Sequence, residues 1–138
     1  MAGKILLVDD YASTRSALSM SLRREGYQVV ALDDGREAAR RIASESFDLV
    51  LSDFSMAGMD GLTLARHVSR VAPHPPVIIM SGSLVITHND VLNAGAFDLV
   101  EKPFSLTSLI GKIELAFATG TPQRTSESEF KEERRFIA

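Results

Sequence analysis

The feature that most constrains this chain is an alternation of short apolar runs, each of strand length, with stretches of helical period. Ile5-Leu6-Leu7-Val8 is the first run, stopped by Asp9-Asp10. From about Ala12 to Glu25 the period becomes helical, with Thr14, Leu18 and Leu22 on one face and Gly26 just past the end. Tyr27 to Ala31 reads as a second strand. Asp33-Asp34 then offers an N-cap to a helix with an inward stripe of Ala38, Ala39 and Ile42. Phe47 to Ser52 reads as strand three, and the loop Phe54 to Asp60 leads into a helix with Leu62, Ala65 and Val68 on one side. Pro73, Pro75 and Pro76 end that helix before strand four, Val77 to Met80. A helix from Asn89 to Ala94 stops at Gly95, Leu99 to Glu101 is a short fifth strand, and Ser105 opens a last helix carrying Leu106, Leu109, Ile110, Ile113 and Phe117. Strands that each precede a helix imply βαβ crossovers and a parallel sheet. Runs one, three and four are continuously apolar, as strands covered on both faces should be. The expected fold is α/β, a doubly wound five-stranded parallel sheet with helices on both faces and its functional site at the carboxyl ends of the strands.

Composition narrows the function classes. The 138 residues suit one domain, and 45% hydrophobic with 24% charged residues is a globular balance. A formal net charge of −3 lacks the basic face that direct nucleic-acid binding uses. The absence of cysteine excludes disulfides, thiolate zinc sites and thiol nucleophiles. No apolar run is long enough for a membrane span, and the first residues show no signal-peptide core, so a cytoplasmic location is expected. The domain is expected to occupy residues 1–119. Residues 120–138 read as a polar tail of mixed charge, either disordered or a short helix that offers Phe130, Phe136 and Ile137 to a partner.

The chemistry lies in what ends the strands. Asp9 and Asp10 follow strand one and Asp53 follows strand three, and these two strands are neighbours in a doubly wound sheet. Converging carboxylates repel one another, so the pocket is suited to a cation. An all-oxygen donor set with an open side suits Mg²⁺, whereas soft metals find neither thiolate nor imidazole near these strand ends. Ser81 ends strand four with a hydroxyl and Lys102 ends strand five with an ammonium. A metal site, a carboxylate, a hydroxyl and a fixed cation are the equipment for moving a phosphoryl group. Carboxylates accept phosphoryl groups as aspartyl phosphates. His67, His74 and His88 have no context that marks a ligand or a phosphotransfer residue.

From Lys4 to Phe117 the chain resembles the receiver domain of two-component response regulators. The resemblance is carried by Ile5-Leu6-Leu7-Val8-Asp9-Asp10, Phe47-Asp48-Leu49-Val50-Leu51-Ser52-Asp53 and Met56-Ala57-Gly58-Met59-Asp60-Gly61. It continues through Val77-Ile78-Ile79-Met80-Ser81-Gly82, Gly95-Ala96 and Glu101-Lys102-Pro103-Phe104. It implies a flavodoxin-like fold with strand order 2-1-3-4-5. It also implies a chemotaxis-regulator-like response regulator that takes phosphate on Asp53 from a histidine kinase or phosphotransfer protein. Asp9, Asp10, Asp53 and the backbone carbonyl of Ser55 would form the Mg²⁺ site, with Ser81 and Lys102 contacting the phosphoryl group. Ser55 and Ser83 would be the rim positions that set phosphate lifetime, and Gly82 would leave the phosphate room. Signalling would run through changed contacts with a downstream protein target, without direct nucleic-acid or membrane binding, and with homodimerisation on activation as one route.

The chain departs from the family pattern at Ala57, where Pro is usual, at Ser52, where an aliphatic residue is usual, and at Leu99, where a switch aromatic is usual. Without a ring at Leu99, activation is expected to be read through Ser81 to Asn89, with Leu99 as a static apolar patch for a partner. The alternative reading is a Mg²⁺-dependent phosphohydrolase with an aspartyl-phosphate intermediate. Such enzymes place a second acid two residues after the nucleophile, and here that position is Ser55. A flavin carrier would need aromatic residues and a Ser/Thr-rich loop where Asp9-Asp10-Tyr11 stands.

Overall fold

In the computed structural model, residues 3–71, 73–83 and 85–119 are described; the two expectations placed on residues 120–138 fall outside them. Five strands and five helices alternate: β1 Lys4–Val8, α1 Ala12–Arg24, β2 Gln28–Leu32, α2 Gly35–Ser44, β3 Leu49–Asp53, α3 Gly61–Val68, β4 Val77–Ser81, α4 His88–Asn93, β5 Asp98–Glu101 and α5 Leu106–Thr119. The strands form one parallel sheet in the order β2-β1-β3-β4-β5, as expected. Among the described residues no helix is long and apolar enough to cross a membrane.

Each face of the sheet carries its own core, and the two-residue side-chain period sorts the strands between them. Leu6, Val8, Val50, Val77, Ile79 and Leu99 point to the side covered by α2, α3 and α4. Ile5, Leu7, Leu49, Leu51, Ile78, Met80 and Val100 point to the side covered by α1 and α5. β1, β3 and β4 are buried along almost their whole length, which is why they read as unbroken apolar runs.

Local chemistry sets the ends of the elements. Asp34 caps α2 by accepting from the Arg36 N–H at 2.7 Å, and Asp60 caps α3 by accepting from the Thr63 N–H at 2.8 Å. Gly26, with φ of 100°, closes α1 in the left-handed region that a side chain disfavours. Strand β2 begins one residue later than the sequence pattern indicated, because the Tyr27 N–H is used to bond the Leu22 carbonyl at the end of α1. Helix α4 is short and relies on a full capping box between Thr87 and Asp90. On α3 the buried stripe is Gly61, Leu64, Ala65 and Val68, with the predicted Leu62 only half-buried at its edge.

Candidate functional site

Register alone brings the acidic residues together. Val8 pairs with Ser52 across β1 and β3, so Asp9 and Asp53 leave the sheet side by side. Ligand oxygens of Asp9, Asp10 and Asp53 lie within 4.8 Å of one another. Asp9 is fully buried, Asp53 is 9% exposed and Asp10 faces solvent. On the other side, Ser81 pairs with Glu101, and this places Lys102 one step beyond the edge of β5. Its Nζ lies 2.8 Å from Asp53 Oδ1. The sequence-predicted Asp9, Asp10, Asp53, Ser81 and Lys102 thus stand at one carboxyl edge, the position where open α/β sheets bind ligands.

The charges in this pocket are not balanced. One oxygen of Asp9 accepts the Tyr11 N–H at 2.9 Å. The other, Oδ2, is buried with no hydrogen-bond partner among the described residues. Burial pushes the Asp9 carboxyl above its ordinary range; the Tyr11 N–H opposes this, Asp53 adds to it, Lys102 opposes and Asp10 adds again. A buried carboxylate with an orphaned oxygen, clustered with two further carboxylates, fits a hard divalent cation held by oxygen ligands.

The loops complete the pocket. Ser81 Oγ accepts the Ser83 N–H at 2.9 Å, and Ser83 Oγ accepts the Val85 N–H at 3.1 Å. A Cβ built at Gly82 would meet only the Lys102 Cβ, at 3.7 Å, so an alanine-sized residue would fit there and the approach is open. Gly61 is held more tightly, since a Cβ there would sit 2.6 Å from the Asp53 carbonyl oxygen. Ser55 lies on the exposed loop between Asp53 and Asp60. Ser52 uses its buried hydroxyl to donate to the Asp53 carbonyl at 2.9 Å.

Leu99 is not part of this pocket and is not a surface patch. It is 9% exposed and packs with Ile79, Val91, Ala94 and Ala96 beneath α4, because its place in β5 turns it toward that core. The expectation of an exposed apolar contact at Leu99 is corrected accordingly.

Sequence reasoning missed the neighbouring Asp98. One of its carboxylate oxygens lies 2.9 Å from His88 Nε2 and accepts the Leu99 N–H at 2.7 Å; the other is 2.8 Å from Lys112 Nζ. The buried carboxylate thereby joins α4, β5 and α5. An acid opening a short edge strand was the one available signal.

A five-stranded doubly wound sheet with three carboxylates and a paired lysine at its carboxyl edge is an α/β domain with a donor set suited to a hard cation. The family profile described as "Response regulator receiver domain" matches residues 5–114. The transcriptional regulatory protein ZraR of Escherichia coli strain K12 is 38% identical over 115 residues, covering 83% of this chain and 26% of that protein. The crystal structure of a response regulator receiver domain protein from Clostridium thermocellum superimposes with a TM-score of 0.80 at 26% identity, covering 87% of this chain and 97% of that one. The solution structure of the beryllofluoride-activated NtrC4 receiver domain dimer gives 0.76 at 31% identity, covering 84% and 97%. The chain belongs to the response regulator receiver domain family. It spans about a quarter to a half of the length of the curated relatives it matches. Phosphorylation-dependent signalling is the function expected of such a domain, and nothing favours the phosphohydrolase alternative. Receiver domains generally bind Mg²⁺ at an acidic pocket; they interact with histidine kinases and downstream effectors, and some dimerise.

Proposed function

We propose that this chain is a phosphoacceptor switch in which Asp53 takes a phosphoryl group from the phosphohistidine of a histidine kinase or phosphotransfer protein. The P–N bond of the donor breaks as a P–O bond to the Asp53 carboxylate forms. The observation that carries this reading is the placement of Asp53 between the Asp9–Asp10 pair and the ammonium of Lys102. Asp9, Asp10, Asp53 and the Ser55 carbonyl would hold Mg²⁺, which neutralises charge on the transferring phosphoryl oxygens. Lys102 moves from the carboxylate to the phosphate it carries, and the Ser81 hydroxyl donates to a phosphoryl oxygen. The output is a changed protein contact with a downstream target, with homodimerisation as one form of it, as in the NtrC4 receiver dimer.

The test is intact-mass spectrometry after incubation with a small phosphodonor and Mg²⁺. Wild type gains one phosphoryl group, chelation of the metal stops the gain, and Asp53→Asn gains none. Equal labelling of the Asp53→Asn variant removes Asp53 from the reaction.

Phosphate lifetime follows from the rim. Ser83 is small, half-buried and engaged with the loop through Ser81 Oγ and the Val85 N–H. Neither Ser55 nor Ser83 offers a carboxylate or amide to orient an attacking water. Ser83→Tyr is expected to slow self-dephosphorylation by about tenfold by obstructing the water, while leaving phosphorylation intact. The decay of the phosphorylated mass peak after donor removal measures it, and an unchanged half-life excludes position 83 from controlling water access.

A further inference from the structure

A site that uses the Ser55 carbonyl depends on how the loop after β3 is held. The loop is closed at its base by the Gly61 N–H, which bonds the Phe54 carbonyl at 2.8 Å. Ser52, fully buried, fastens its start through the Asp53 carbonyl and lies 3.8 Å from Met56 Sδ. On the pocket side there is one more contact: the Ala57 N–H donates to Asp10 Oδ2 at 3.3 Å.

We propose that Ala57 is a positioning residue for the divalent cation, its backbone N–H tethering the Ser55-bearing loop to Asp10 before the cation arrives. The proposal rests on the reading above that Asp10 and the Ser55 carbonyl share that cation. Asp10 is exposed, so its carboxylate is otherwise free to turn. Engaging one oxygen with the Ala57 N–H leaves the other open to a ligand and removes rotational freedom in advance, so less is lost on binding. The donated N–H also draws charge from a pocket of three like-charged groups. The contact brings the residue two places after Ser55 against a residue 47 positions away, so it ties the Ser55-bearing loop to Asp10. A proline at position 57 would stiffen the loop but has no N–H to donate. The departure from the family pattern at Ala57 and the hydrogen bond to Asp10 are therefore one feature of this chain.

Calorimetric titration of Mg²⁺ into the full chain tests this with wild type, Ala57→Pro and Ala57→Ser. Ala57→Pro is expected to raise the Mg²⁺ Kd roughly three- to tenfold, the loss of one modest hydrogen bond to a charged acceptor. Ala57→Ser keeps the N–H and is expected to stay within about twofold of wild type. A metal-free thermal melt separates a lost tether from a lost fold. Should Ala57→Pro fail to fold, amide hydrogen exchange at Ala57 in wild type and Asp10→Ala takes its place, with protection expected in the first and lost in the second. An Ala57→Pro affinity equal to or tighter than wild type, an Ala57→Ser affinity as weak as the proline variant, or exchange indifferent to Asp10 each overturns the tether. A wild-type chain that takes up no Mg²⁺ overturns the reading of the metal site itself and the proposal with it.

Discussion

Replacing Asp9 with asparagine will raise the melting temperature of the metal-free chain by about 3–6 °C and remove most of the upward shift that Mg²⁺ gives the wild type. The gain comes from Oδ2 of a fully buried carboxylate, which has no hydrogen-bond partner among the described residues. Leaving a charged group buried without its partner costs on the order of 1–2 kcal/mol or more. An asparagine keeps the oxygen that accepts the Tyr11 N–H and replaces the orphaned charged oxygen by a neutral amide in a pocket shared with Asp10 and Asp53. The pH dependence has a definite sign. Burial and the neighbouring Asp53 raise the Asp9 carboxyl in the folded chain, so the folded state holds this proton at a pH where the unfolded state has lost it. The penalty is absent below the ordinary carboxylate range, grows as pH rises from that range to the raised value, and is complete above it. Asp9→Asn should therefore flatten that descending limb while leaving the acid side unchanged. Melts across pH with and without Mg²⁺ measure both effects. A variant no more stable than wild type at neutral pH, or one with the full wild-type Mg²⁺ shift, would show that Asp9 is neither strained nor part of the cation site.

The pocket was legible in the chain because its members are punctuation marks. Asp9, Asp53, Ser81 and Lys102 each stand at the end of a strand or just past it, and in a parallel doubly wound sheet every strand ends at the same edge. The fold was legible for a related reason: β1, β3 and β4 are buried on both faces and apolar along most of their length. What was not legible depends on contacts between loops and between layers. The Ala57 N–H has no side-chain signature, since any residue but proline supplies it. The direction in which Asp98 points, and the arrival of His88 and Lys112 on it from two different helices, follow from the packing of α4 and α5 against the sheet edge. The burial of Leu99 was missed for the same reason. A leucine in a short edge strand reads as exposed until α4 is seen to cover it.

That burial gives Leu99→Ala an expected cost in stability of about 2–4 kcal/mol. Leu99 shares its core with Ile79 on the neighbouring strand, Val91 of α4 and Ala94 just after it, so truncation leaves a cavity in addition to the lost transfer energy. The Leu99 N–H is held by Asp98, which also ties down His88 and Lys112, so the backbone of β5 is poorly placed to relax into the gap. Urea unfolding followed by far-ultraviolet circular dichroism should show a lower midpoint with an unchanged slope, the mark of a less stable but equally compact fold. A cost below about 1 kcal/mol would mean that α4 shifts to fill the space, and that the layer over β4 and β5 is less rigid than its packing implies. The same variant bears on signalling. A side chain serving as core should, when truncated, weaken target binding in both phosphorylation states through stability alone, and lowering the temperature until both variants are fully folded should restore equal affinities. If affinity at that temperature still fails to respond to phosphorylation in Leu99→Ala, the side chain takes part in the switch despite lacking a ring, and the route from Ser81 to the outer face runs through the core beneath α4.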